Sequence, residues 1–181
     1  MVRVAGRVAD GLALGALLST TYIREVIQPA ARAAAAAAGR DPPRLGFLLA
    51  AFVSVDTDRE RARQAARAAI CRLFSPLPHP YYEFLLRKQG FSAAADAALK
   101  YVPAGNLAKA AEAMSDDLID ALTIAGTPAE CRARIAEYGS LVDEVLYVNV
   151  ASAAATDPDP LAAYRHVLRL PQMSRPDTSH T

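Results

Sequence analysis

Few side chains in this 181-residue chain have the type and spacing to do chemistry. Asp56 and Asp58 form a carboxylate pair directly after an apolar run, a pattern that could support acid–base work. Both also suit the first turn of a helix, where the dipole favours negative charge, and that structural role is preferred. Thr127 and Glu130, in GTPAEC, have the spacing of a capping box, which accounts for both residues without catalysis. His79 stands between two prolines, a setting in which a lone histidine is more often a surface residue than an acid or base. The two cysteines, Cys71 and Cys131, occupy apolar positions of helical patterns, and the three histidines (His79, His166 and His180) are dispersed. With no Cys-x-x-Cys pair, neither a zinc site nor a disulfide framework is expected. Glycine-rich phosphate loops of the GxGxxG or GxxxxGK[ST] kind are absent from the sequence.

The totals narrow the field further. Twenty basic and 19 acidic residues give a formal net charge of +1, which offers no electrostatic case for nucleic acid or an anionic membrane as partner. Arginines alternate with acidic residues along helical stretches, the pattern of a solvated surface. No apolar run approaches the roughly 18 residues of a spanning helix, and the start, MVRVAGRVADG, lacks the shape of a signal peptide. The expected location is a reduced, cytoplasmic compartment.

The elements that would position these residues alternate between strand and helix. Residues 2–9 read as the end of a helix, stopped at Asp10 and Gly11, with Gly11 suited to a left-handed C′ position. LALGALL (12–18) reads as a short buried strand running into a loop. Ser19, Thr20 and Thr21 are N-cap residues for a helix that Pro29 should kink or break near Gln28. LGFLLAAFVSV (45–55) is continuously apolar, as a strand buried on both faces would be. Thr57 and Glu60 stand at capping-box spacing before a helix whose apolar face carries Ala62, Ala66 and Ile70, with Arg59, Arg63 and Arg67 on the solvent side. From Ser75 the proline- and aromatic-rich SPLPHPYYEFLLRKQGF opens an all-helical insertion, about 75–122. TIAGTPAECRARIAEYGSLVDEVLYVNV (123–150) then gives a turn, a capped helix with Cys131, Ile135 and Tyr138 inward, and a strand over 144–150. A last helix spans 161–168, and 171–181 has the composition of a disordered tail.

Strands alternating with helices imply parallel βα units. Three strands cannot close a barrel, which takes about 250 residues. An open three-stranded sheet would also leave two apolar edges. The pattern therefore suggests an incomplete domain, or one that completes itself with another chain. An unrelated helical ligand-binding or regulatory domain is a competing possibility, opposed by the strand-like runs 45–55 and 144–150.

AGRVADGLALGALLS, the VSVDTDRE junction, PYYEFLLRKQGF and DALTIAGTPAECRARIAEYGSLVDEVLYV together resemble the C-terminal half of bacterial-luciferase-like oxidoreductases. The resemblance runs from Met1 to about Val150 and points to the branch containing methylenetetrahydromethanopterin reductase. It implies an α/β fold, a partial (β/α)8 TIM barrel with a helical insertion after the penultimate strand. On that mapping 12–14 is strand six, 45–55 strand seven and 144–150 strand eight, residues 1–170 form the C-terminal portion of the barrel domain, and Met1 falls inside the helix after strand five. Strands one to five, and the ring-cradling residues the family carries there, have no counterpart in this sequence.

The resemblance further implies hydride transfer or oxygen activation with the deazaflavin coenzyme F-420 or FMN, acting on a small-molecule substrate. The cofactor supplies the hard chemistry, so no nucleophile or triad is required. Barrel enzymes build their sites at the C-terminal ends of strands. That places Gly15, Ala16, Ser19 and Thr20 after strand six as cofactor contacts, against the plainer role of a helix cap. Tyr81 and Tyr82 would line the substrate pocket, or else pin a proline-rich loop with their rings. A homodimer or a missing N-terminal half-barrel are the implied partners. The alternative within the same fold is a non-catalytic subunit or remnant that completes its sheet by association.

Overall fold

The computed structural model describes residues 1–75, 80–151 and 161–170. His79 and the 171–181 tail lie outside the described residues.

Among the described residues four parallel strands form one sheet: β1 (Gly11–Leu14), β2 (Gly46–Val55), β3 (Ile124–Gly126) and β4 (Glu144–Asn149). Leu48 and Leu49 pair with both β1 and β4, while Val53 pairs with both β3 and β4. A strand has only two edges, so β1 and β3 lie end to end along one edge of β2 and β4 runs along the other. The sequence pattern predicts three of these strands. The fourth, β3, has three residues, too few for any periodicity, and exists through its pairing with Val53–Val55.

Gly11 departs from the expected left-handed cap. Helix α1 (Val2–Val8) ends in extended backbone at Ala9, and Gly11 is the first residue of β1 rather than a left-handed cap. The glycine is needed for close approach, because a Cβ there would sit 2.9 Å from the carbonyl oxygen of Gly46. Further on, α2 (Thr20–Tyr22) passes through one π-helical turn, Ile23–Ile27, into α3 (Gln28–Ala37). Pro29 thus causes no break. It stands in the first turn of α3, directly after the widened turn, where a missing N–H is tolerated.

Alternation along β2 sends Phe47, Leu49, Ala51, Val53 and Val55 into one core, shared with Ala31 of α3 and with Cys131, Ile135 and Tyr138 of α9 (Pro128–Gly139). Phe52, on the other face, enters a second core with α4 (Arg59–Arg72) and the insertion helices. These are α5 (Pro80–Lys88), α6 (Ser92–Tyr101), α7 (Leu107–Glu112) and α8 (Asp116–Leu122). The expectation that the strand is buried on both faces therefore holds only near its C-terminal end. Leu48 and Ala50 are half-buried, their neighbours Ala13 and Leu146 are exposed, and no described element covers that part of the face.

Two local expectations around α4 also change. Asp58, not Thr57, caps it, accepting from the amides of Glu60 (3.0 Å) and Arg61 (3.2 Å). Arg63 and Arg67 are not on a solvent face: Arg63 is 1% exposed and Arg67 8%. Arg63 donates to Asp116 Oδ1 at 3.2 Å, to the Asp116 carbonyl at 3.0 Å and to Asp120 Oδ1 at 2.5 Å. Arg67 bonds Asp116, Glu60 and the Met114 carbonyl. These two guanidinium groups fasten α4 to α8, with carboxylates that a sequence pattern cannot assign to them.

Candidate functional site

The loop leaving β1 turns sharply at Leu17, whose φ is +66°, and Leu17 is only 1% exposed. A left-handed backbone at a residue other than glycine costs roughly 1–2 kcal/mol and persists where the surroundings hold it. Here the holder is the side-chain amide of Gln89, just beyond the end of α5. Its Nε2 donates to the Leu17 carbonyl at 2.8 Å and to the Leu85 carbonyl at 3.1 Å. Its Oε1 accepts from the Ser19 amide at 2.8 Å. From the other side, the buried Tyr138 hydroxyl donates to the Leu18 carbonyl at 3.0 Å. Ser19 then caps the helix, its Oγ accepting from the Tyr22 amide at 3.1 Å. The Ser19 amide and hydroxyl are thus engaged internally, whereas the amides of Thr20 and Thr21 have no partner among the described residues.

The insertion brings its tyrosines to this loop. A methyl group built on Gly15 would lie 3.8 Å from the Tyr81 hydroxyl, so the two face each other across a gap one small group wide. The Tyr81 and Tyr82 rings meet edge to face, with centroids 5.5 Å apart. Burial raises the Tyr81 pKa above the usual phenol value, and the neighbouring Tyr82 and Tyr22 phenols push the same way. Gly15, Ser19, Thr20, Tyr81 and Tyr82 therefore share one rim at the C-terminal end of β1. Tyr22 and Gln89 join them. Neither carries a sequence signal of that role, because each reads as an ordinary helix residue and the contact spans the insertion.

The remaining candidates are absorbed by the framework. Asp56 is gripped by Arg61 at 2.6 and 2.7 Å, and this hydrogen bonding, chiefly, holds its carboxyl below the ordinary range. The expected capping box forms: the Thr127 amide donates to Glu130 Oε2 at 2.8 Å and the Glu130 amide to Thr127 Oγ1 at 3.4 Å. The Thr127 amide is the main reason the Glu130 pKa is lowered, with Arg59 adding to it. Burial pushes the Cys131 thiol up to about 12 and the Cys71 thiol to about 11, so both stay protonated and unreactive at neutral pH. Among the described residues no group of three or more His, Cys, Asp or Glu could hold a metal ion, and no helix is long and apolar enough to cross a membrane.

The lowered carboxylates set a pH dependence. The unfolded chain protonates Asp56 and Glu130 first, near their ordinary values of about 4. Their contribution is complete above that range and is lost as pH falls through the lower folded values. Thermal unfolding should show the melting temperature falling below about pH 4, and E130Q should shrink that acid-side fall while lowering stability at pH 7.

A cleft of about 460 Å³, lined by Asp10, Arg40, Asp41 and Arg44 among others, lies at the opposite, N-terminal end of β1 and β2. Another of about 360 Å³ separates β4 from α10 (Ala162–Leu168) and is lined by Tyr147, Asn149, Tyr164 and Val167 among others.

Comparison with known proteins adds four findings. The family model described as luciferase-like monooxygenase matches residues 1–144. A 5,10-methylenetetrahydromethanopterin reductase of Methanolobus tindarius is 29% identical over 164 residues, covering 87% of this chain and 45% of its own length. Among solved structures, a coenzyme F420-dependent tetrahydromethanopterin reductase from Methanopyrus kandleri superposes with a TM-score of 0.67 at 22% identity, over 93% of this chain and 46% of that one. An F420-dependent secondary alcohol dehydrogenase, solved with an F420-acetone adduct, gives 0.59 at 20% identity, over 88% of this chain and 41% of that one. The structural matches establish a shared fold, and this chain spans less than half the length of each of these relatives.

Proposed function

The chain belongs to the luciferase-like monooxygenase family, and from that premise we propose that it carries the last βα units, and the helical rim, of a flavin- or deazaflavin-dependent oxidoreductase barrel. Coenzyme F420 is favoured over FMN, and hydride transfer over oxygen activation, because the similar proteins are named as F420-dependent enzymes and reductases. The carrying observation is the meeting of Gly15 and Tyr81 at the C-terminal end of β1, where a parallel α/β sheet places ligands.

The residues at the rim fit such a group. Gly15 leaves a gap that a side chain would fill, the Thr20 and Thr21 amides lie in a first helical turn without a partner among the described residues and so are open to an anion, and the tyrosines offer flat apolar surface. When bound, the cofactor supplies the hydride donor or acceptor. Gly15 and Thr20 would hold it, Ser19 would set the loop, and Tyr81 and Tyr82 would shape the substrate side and exclude water.

Titration of the native protein with F420 and with FMN, followed by ligand fluorescence, tests this reading. Saturable binding with preference for F420 is expected. The G15V variant should weaken it at least ten-fold, about 1.4 kcal/mol, without a change in fold, since the backbone at Gly15 is not left-handed. A folded protein that perturbs neither ligand would sink the proposal.

A second reading is favoured by the sheet itself. Ala13, Leu48, Ala50 and Leu146 leave an apolar strip with no described element over it. A non-catalytic partner subunit would use that strip, and the outer edge of β4, to complete its sheet by association. Sedimentation equilibrium, read together with the cofactor titration, distinguishes the two: this reading requires a stable complex that binds neither cofactor.

A further inference from the structure

We infer that Gln89 is a positioning residue for the cofactor site, an assignment that rests on the proposed function above. Gln89 comes from the end of α5, 70 positions along the chain from Ser19, yet its one amide satisfies both the Leu17 carbonyl and the Ser19 amide at 2.8 Å. Those two groups bracket Leu18, immediately after the left-handed Leu17, where the loop turns into the next helix. A side-chain amide is the group that can serve both, because it carries a donor and an acceptor on one plane. A leucine would serve neither, and a glutamate would set a carboxylate against the Leu17 carbonyl.

The turn decides where Gly15 lies relative to Tyr81. Gly15 is two residues before Leu17, Tyr81 is on the same helix as Leu85, and Gln89 bonds to Leu85 as well as to the loop. The Gln89 amide therefore fixes the loop and the insertion helix to one another. Without it, the gap between Gly15 and Tyr81 loses its hydrogen-bonded tie and is held only by the packing of Leu17 in the second core and by Tyr138 on Leu18. Binding would then require the loop to be ordered by the ligand itself, which weakens affinity without removing any ligand contact. The insertion is thus part of the binding geometry rather than a cover laid over it.

The test compares Q89L with I70V, a volume change on α4 in the second core, which also holds Leu17, that removes none of the Gln89 hydrogen bonds. Affinity for F420 and for FMN, thermal stability, and hydrogen exchange at the Ser19 amide are measured for each. Gln89 acting as a positioning residue predicts at least a ten-fold rise in Kd for Q89L and faster exchange at Ser19. I70V should lose comparable stability while keeping wild-type affinity. Equal affinity in Q89L and the wild type overturns the inference alone. So does an affinity loss that tracks stability across both variants, which marks Gln89 as merely structural. Failure of the wild type to bind either ligand overturns the functional reading and this inference together, whatever the exchange at Ser19.

Discussion

Replacing Arg63 by leucine is expected to lower the free energy of unfolding by on the order of 3 kcal/mol, measured by urea denaturation. The guanidinium is 1% exposed and makes contacts to Asp116 and Asp120 that join α4 to α8. Two opposing terms set the size of the loss. Desolvating a charge is expensive, which limits what the pair contributes in the wild type. Both carboxylates, however, keep 58% of their side-chain surface in solvent, so the cost falls almost wholly on the arginine, and four hydrogen-bonded or ionic contacts already offset it. Leucine leaves the Asp116 carbonyl without its donor and Asp120 without its counter-ion, and Asp116 keeps Arg67 alone. Arg59 is the control. Its pair with Glu130 has side chains 47% and 45% exposed, so R59L should change stability by no more than about 1 kcal/mol. Equal effects for the two variants would mean that the buried network contributes nothing specific.

The G6A variant should also destabilise, against the direction that helix propensity predicts. Alanine is favoured over glycine in a helix interior by about 1 kcal/mol. At Gly6 that gain is opposed by packing, because a Cβ would lie 2.2 Å from the carbonyl oxygen of Ala31 and 3.0 Å from its carbon. Both atoms are backbone of α3 and cannot swing aside, so α1 would have to move off the helix it packs on. Overpacking of this kind costs typically about 1–3 kcal/mol, and occasionally more, enough to outweigh the propensity term. A lower unfolding midpoint for G6A is the expected result. A higher one would show that α1 does not dock on α3 in solution.

How much was legible in the sequence depended on distance along the chain. The capping box at Thr127 and Glu130 was readable because its partners are three residues apart, and β2 because ten successive residues carry one apolar signal. The inward stripe of α9, ending at Tyr138, followed from helical spacing alone. What failed was whatever needs a remote partner. Arg63 and Arg67 looked solvated because the carboxylates that bury them are about fifty residues away, on α8. β3 is a strand only because β2 is beside it. Within the site, Gly15 and Tyr81 could each be named from motif order, but their contact and the Gln89 clamp arise only once the insertion folds back on the loop.

That fold-back is the feature a bound cofactor would touch. Hydrogen exchange of the native protein, with and without saturating F420, locates the ligand directly. Slowed exchange is expected at residues 15–21 and at 80–88, with the charged cleft around Arg40 and Arg44 unchanged. Protection at that cleft, or none at the loop and the insertion helix while F420 is bound, would contradict it.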